Sequence, residues 1–343
     1  MRVLPISFNN NLKNNFNCKP KTKNQPTFTS IFADAKPETE RAYAIYTMTH
    51  PNFSTLKSSS TRIFRELPSE LAVSKLLDPN KKTQINVLGS SDGSEAFAYA
   101  ITLKEAMGDK AKENVKIKGV DLQKPLVELA KTGKIVCSDI EKKYASDYEK
   151  ELGKSPISGS GWNRHLKKTT RPDNFIQLGK KYPFLVYMEN DPVVGKTIGN
   201  GLNWYEINQE GLPETAFETG DMRDYLTSTE GAEQEVYVVA NSAAYLAEIN
   251  PDEYVNLFKK IADENKGKNK DVYVVVGSVE NKLVNPRYSA ALGIPRGKQQ
   301  RMKTDILNAG FENVSEFKLR KKGIVPYKET AACICLLYTS PSH

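Results

Sequence analysis

The residues best placed to do chemistry fall in one short stretch, Ile85-Asn86-Val87-Leu88-Gly89-Ser90-Ser91-Asp92-Gly93-Ser94-Glu95. An apolar run ends at Gly89, and the residues after Gly93 read as a helix. In a doubly wound sheet, such a strand-to-helix turn is where nucleotide-like ligands bind. A phosphate would rest on the helix N-terminus, where anions are favoured, yet Asp92 and Glu95 put carboxylates at that end. Neither the GxGxxG fingerprint nor a P-loop is present. The turn therefore suits a ligand with cationic groups and no phosphate, a description met by S-adenosylmethionine through its sulfonium and its ammonium. The same two acids also fit a capping box, with Asp92 as N-cap and Glu95 at N3, so both readings stand at this point. A second strand ends in Gly119-Val120-Asp121, where an acidic side chain can accept from both hydroxyls of a ribose.

The elements that must hold these residues alternate in a regular way. Strands are expected at Ile85 to Leu88, Val115 to Val120, Val236 to Val239 and Val272 to Val276. Between and after them, helices are expected at Ser94 to Met107, Pro125 to Lys131, Asp252 to Asp263 and near Gln299 to Asn308. Two last strands, Val314 to Leu319 and Ile324 to Tyr327, read as a hairpin about Lys321-Lys322-Gly323. Alternation of this kind predicts an α/β fold, a Rossmann-like doubly wound parallel sheet finished by an antiparallel strand. Residues 37–80 read as a short helical segment split near Pro51, and 138–218 as a β-rich insertion whose Trp162, Trp204 and Tyr205 either line a substrate groove or, as is commoner in such an insertion, form its own small core.

Composition narrows the partners. The 343 residues carry 49 Lys+Arg and 41 Asp+Glu, a net charge of +8. Six bases against one acid in residues 1–36, and five against two in 315–343, hold all of that excess and leave the body between them neutral. A neutral body argues against a nucleic-acid face, since phosphate recognition needs clustered bases on the folded surface. Residues 1–36, with seven Asn and no apolar period, are expected to be a disordered tail. No stretch reaches the length of a membrane helix and the start lacks a signal-peptide core, so the expectation is a cytoplasmic protein without membrane insertion. Three His (His50, His165, His343) and four Cys (Cys18, Cys137, Cys333, Cys335) are too scattered to predict a metal site, a hydrolase triad or a disulfide framework. Residues 331–343 are expected to be a disordered or non-native tail, because Leu336 to Pro341 resembles translated adapter sequence.

Five blocks in order also resemble the CheR-type chemotaxis receptor glutamate methyltransferases, over about residues 57 to 330. They are Ser60-Thr61-Arg62-Ile63-Phe64-Arg65-Glu66, then Ser91 to Ala100, then Gly119-Val120-Asp121 with Leu129 to Gly133, then Glu218 to Met222, and last Val238 to Leu246. The resemblance implies a class I methyltransferase fold with S-adenosylmethionine held by residues matching Ser59, Thr61, Arg65, Gly89, Glu95, Asp121, Asp221, Met222 and Asn241. It implies Tyr245 near the transferred methyl, Arg65 as a second catalytic residue, and a protein substrate, a receptor or signalling protein, met by a monomer. Ala240 stands where the family has an arginine. A non-catalytic cofactor-binding module of the same fold is the competing reading, and a nicotinamide-dependent dehydrogenase is disfavoured by the acidic helix start.

Overall fold

The computed structural model describes residues 63–64, 67–138, 164–170, 172, 202–240, 242, 251–276, 304–306, 308–319 and 330–337. The first described helix, α1, is Leu67–Leu76, followed by β1 (Thr83–Leu88), α2 (Ser94–Met107), α3 (Asp109–Asn114), β2 (Val115–Asp121) and α4 (Lys124–Lys131). Next come β3 (Lys134–Ser138), β4 (Leu166–Thr169), β5 (Leu202–Ile207), β6 (Glu214–Thr219), β7 (Gln234–Val238) and α5 (Pro251–Asn265). The chain closes with β8 (Asp271–Val276), β9 (Phe311–Leu319) and β10 (Thr330–Leu337).

Seven strands form one sheet in the order β6-β2-β1-β7-β8-β10-β9. The pairs from β6 through β8 are parallel, while β10 runs antiparallel to both β8 and β9. From β1 the chain winds outward to β2 and β6, then returns to the other side of β1 at β7. The C-terminal ends of β1 and β7 therefore flank the switch point where such sheets bind ligands. Both faces of the centre are covered, as a parallel sheet requires. Val236 and Val238 of β7 face the layer containing α1, α2 and α4, whereas Tyr237 and Val239 face the layer built on α5. Helix α2 is buried along Ser94 to Leu103 because it lies between α1 and the sheet, and Ala96, Ala98 and Ala100 keep that packing close.

The structure corrects the expected organisation in three ways. The β-rich insertion does not extend to 218, since Glu214–Thr219 is a strand of the central sheet. Its polar, half-exposed edge sequence carries little of the apolar signal that marks a central strand. The last described strand is Thr330–Leu337, so the domain does not end at 330 and the stretch expected to be a tail supplies a strand between β8 and β9. Ile324 to Tyr327, the 1–36 tail and the 37–62 part of the helical segment lie outside the described residues. Finally, among the described residues of the three-stranded sheet β3-β5-β4, Leu166, Tyr205 and Ile207 join the main apolar cluster, so Tyr205 is not confined to a core of the insertion's own, while Trp162 lies outside the described residues. It is latched to α2 by Glu105, which meets His165 Nε2 at 2.8 Å and Arg164 Nη2 at 2.6 Å.

Phe217 of β6 ties the sheet edge to the turn that matters. Its ring lies 5.3 Å from that of Phe97, tilted by 58°. A Cβ on Gly93 would come within 2.8 Å of the ring, and one on Gly119 within 2.5 Å. Phe217→Ala is expected to cost about 3–5 kcal/mol in urea denaturation, because it opens a cavity under both glycines.

Candidate functional site

Four turns meet at the C-terminal ends of β6, β2, β1 and β7. The turn after β1 carries three left-handed residues, Gly89 (φ 82), Ser91 (φ 52) and Gly93 (φ 85). Glycine adopts that conformation freely, but Ser91 needs compensation. Its N–H donates to Asp121 Oδ2 at 2.8 Å. Gly89 and Ser90 donate their N–H groups to the carbonyl of Val120 at 2.8 and 2.9 Å. A run of such N–H groups normally forms a concave anion site. Here they are spent on the end of β2, and the anion that occupies the turn is the protein's own carboxylate.

Asp121 is consequently a junction. Its Oδ1 accepts from Gln123 N at 2.8 Å, and its carbonyl accepts from Gly220 N at 3.0 Å, so one residue joins the turns after β1, β2 and β6. The crowding of protein atoms raises its pKa above the ordinary carboxylate value, outweighing the two backbone donors that act the other way. Each oxygen retains a lone pair for a further donor.

The start of α2 settles one of the open readings. Gly93, not Asp92, is the N-cap, so Glu95 falls at N2 and the capping box does not form. Asp92 Oδ1 instead accepts from Ser94 N at 3.0 Å within the turn. Both acids are buried, at 4% and 5% exposure. Beside them, the hydroxyls of Ser90 and Ser94 and Oε1 of Gln123 are buried with no hydrogen-bond partner among the described residues.

After β6, Asp221 caps a short 3-10 turn over Met222–Asp224. Arg223 grips the Asp221 carboxylate with two nitrogens, Nε to Oδ1 at 3.0 Å and Nη2 to Oδ2 at 2.6 Å. Asp221 in turn holds the guanidinium charged beyond its already high pKa. The Met222 methyl would lie 3.7 Å from a Cβ on Gly89, which places Met222 over the first turn. Behind Gly89 stands Ser242, whose hydroxyl donates to Leu88 O at 2.5 Å.

Among the predicted site residues the structure thus gathers Gly89, Glu95, Asp121, Asp221 and Met222 around one end of the sheet. Ser59, Thr61, Arg65, Asn241 and Tyr245 lie outside the described residues. Ser91, Arg223, Ser242 and Phe217 join the site without having been expected there. Of these only Arg223 had a readable signal, an arginine two places after a predicted site acid.

The arrangement fits a nucleoside with a positively charged tail. It offers the Asp121 carboxylate at the end of β2 and buried acids at the helix start, and the N–H groups of Gly89, Ser90 and Ser91 are already engaged within the protein. Residues 59–157 match the family model described as CheR methyltransferase, SAM binding domain. Residues 59–157 are thus similar to a CheR-type S-adenosylmethionine-binding domain. Its cofactor is S-adenosylmethionine, its sheet is that of the class I methyltransferases, and it is an S-adenosylmethionine-dependent methyltransferase. No curated protein matches this chain in sequence. Among solved structures it is similar to the mitomycin 7-O-methyltransferase MmcR, at 10% identity over 80% of this chain and 54% of that one, with a TM-score of 0.34. It is also similar to the PH0226 protein of Pyrococcus horikoshii OT3, at 10% identity over 86% of this chain and 99% of that one, with a TM-score of 0.37. A third is a TehB-like S-adenosylmethionine-dependent methyltransferase from Corynebacterium glutamicum ATCC 13032 Kitasato, at 10% identity over 88% and 98%, with a TM-score of 0.32. At such scores the fold assignment rests on the strand order itself.

Gly89→Ala tests the turn. The new Cβ would lie 2.5 Å from Ser242 Cβ on a backbone of φ 82, so both space and conformation oppose it. The expected outcome is a loss of stability of about 2–4 kcal/mol in thermal or urea unfolding. Cofactor binding should be lost at temperatures where the variant remains folded.

Proposed function

We propose that this methyltransferase transfers its methyl group to a protein carboxylate, a glutamate side chain, as the resemblance of its five sequence blocks implies. The observation that carries the cofactor half of the reading is Asp121, fixed across two turns with lone pairs left for a ribose. S-adenosylmethionine supplies a methyl group on a positively charged sulfur. Asp121 holds the ribose, Asp221 and Met222 border the base, Glu95 faces the ammonium, and Gly89 leaves the space a side chain would fill. The resemblance assigns Ser59, Thr61, Arg65 and Asn241 to the binding set as well, and Tyr245 and Arg65 to the transfer. A carboxylate acceptor is ionised at pH 7, so alignment and exclusion of water are the main demands on the site.

A second reading is a module that binds the cofactor without transferring from it. Ala240 favours it: the residue is 3% exposed and packed in the main core at the place where the family has an arginine. Transfer of radiolabelled methyl to proteome protein, released as methanol by mild base, supports the glutamate reading. Base-stable label points to a nitrogen acceptor, and binding without transfer supports the module.

Calorimetry with S-adenosylmethionine and its demethylated product tests the cofactor site. Asp121→Ala is expected to weaken both by about 10- to 100-fold, the worth of hydrogen bonds to a charged acceptor. Wild-type binding should also weaken on acidification, starting above the usual carboxylate range, because protonation removes an acceptor from Asp121. Asp121→Asn should lack that acid limb. The stability sign is the opposite: with its folded pKa raised, the ionised group costs stability above that value, and the cost is lifted as pH falls through it.

A further inference from the structure

Arg223 is the one strong cation built into the described part of the site, and its position is unusual. It is 16% exposed, lies in the turn after β6, and is committed on three sides. Its guanidinium holds both oxygens of Asp221. Its Nη1 donates to Glu253 Oε2 on α5 at 3.3 Å. Its carbonyl accepts from Lys260 Nζ, also on α5, at 2.5 Å. Asp221 and Asp121 stand at the ends of adjacent strands, where Gly220 N meets Asp121 O. If the ribose is held at Asp121, the next turn outward borders the base.

We propose that Arg223 is a positioning residue for recognition of the cofactor's base, setting the direction of the Asp221 carboxylate and anchoring it on α5 through Glu253. A carboxylate in a short turn has several rotamers, and a bidentate guanidinium selects one. The selected rotamer presents an acceptor to the exocyclic amino group of adenine. The anchor also joins the base-side turn to the helix after the β7 turn, so two walls of the site share one joint. This proposal rests on the reading that Asp221 borders the base.

The test compares S-adenosylhomocysteine with S-inosylhomocysteine, in which a carbonyl replaces the amino group, by calorimetry on the full-length chain. Wild type is expected to prefer the adenine compound by about 10- to 100-fold. Arg223→Met should bring that ratio near unity, with folding monitored by circular dichroism. Arg223→Lys should restore it only in part, because an ammonium cannot bridge both oxygens. Glu253→Gln should lower the ratio several-fold, and adding it to Arg223→Met should change nothing further. A merely structural role for Arg223 would weaken both compounds equally and leave the ratio intact, which overturns the proposal. Should Arg223→Met fail to fold, the Lys and Glu253 variants decide by the same ratio. If wild type binds neither compound, the cofactor reading fails; if it binds both equally, Asp221 does not read the base and the role of Arg223 falls with it.

Discussion

The site depends on one carboxylate being claimed from two directions. Asp121 accepts the N–H of Ser91 on one oxygen and that of Gln123 on the other, each at 2.8 Å. Without the first bond, Ser91 would have little reason to stay left-handed, and the turn after β1 would lose its shape. Without the second, the chain would lose the local turn that leads into α4. The negative charge is kept in a crowded place, which raises its pKa, and that cost is accepted because the same group organises two loops. The arrangement also decides ligand chemistry. A turn of this shape would ordinarily attract phosphate, and here the Val120 carbonyl takes the N–H groups of Gly89 and Ser90 while the Asp121 carboxylate takes that of Ser91.

Around that junction the constraints are steric. Gly89 touches Ser242, Gly93 and Gly119 touch Phe217, and Gly220 lies against the Tyr225 ring. Each glycine is required by the closeness of a neighbour, so the loops are packed from behind as well as bonded at the front. Ser242 adds a bond to the last carbonyl of β1, which fixes the distance between the β1 and β7 turns. The turn around Asp121 is held from both sides, and residues that follow four separate strands shape the site.

Much of this was legible before the structure. The helix Ser94–Met107 agrees with its expected limits to the residue, because Gly108 ends it and its apolar positions are strong. The core strands β1, β7 and β8 are legible from their apolar runs, and β2 from the alternation of Val115 and Ile117 with Lys116 and Lys118. The features that could not be read were set by tertiary contact. Glu214–Thr219 looks like loop because an edge strand beside Lys116 and Lys118 pairs charge with charge, Glu214 and Glu218 answering them across the ladder. The capping box at Asp92 failed because Gly93 is left-handed, which a four-residue pattern does not reveal. His165 has no sequence neighbour that would mark it, since its partner Glu105 is 60 residues away.

The strand order at the far edge has a consequence for how the sheet comes apart. β9 pairs with β10 and β10 with β8, so the strand latest in the chain sits inside the order and the earlier one lies outside it. Detaching β10 would therefore release two strands together and shorten the sheet from seven to five. β8, whose Val272 to Val276 are buried on both faces, would then become an open edge of apolar residues. The most exposed step in the life of this fold is thus a late zipper: until the last strand threads between its partners, the best-buried strand of that half is a template for another chain.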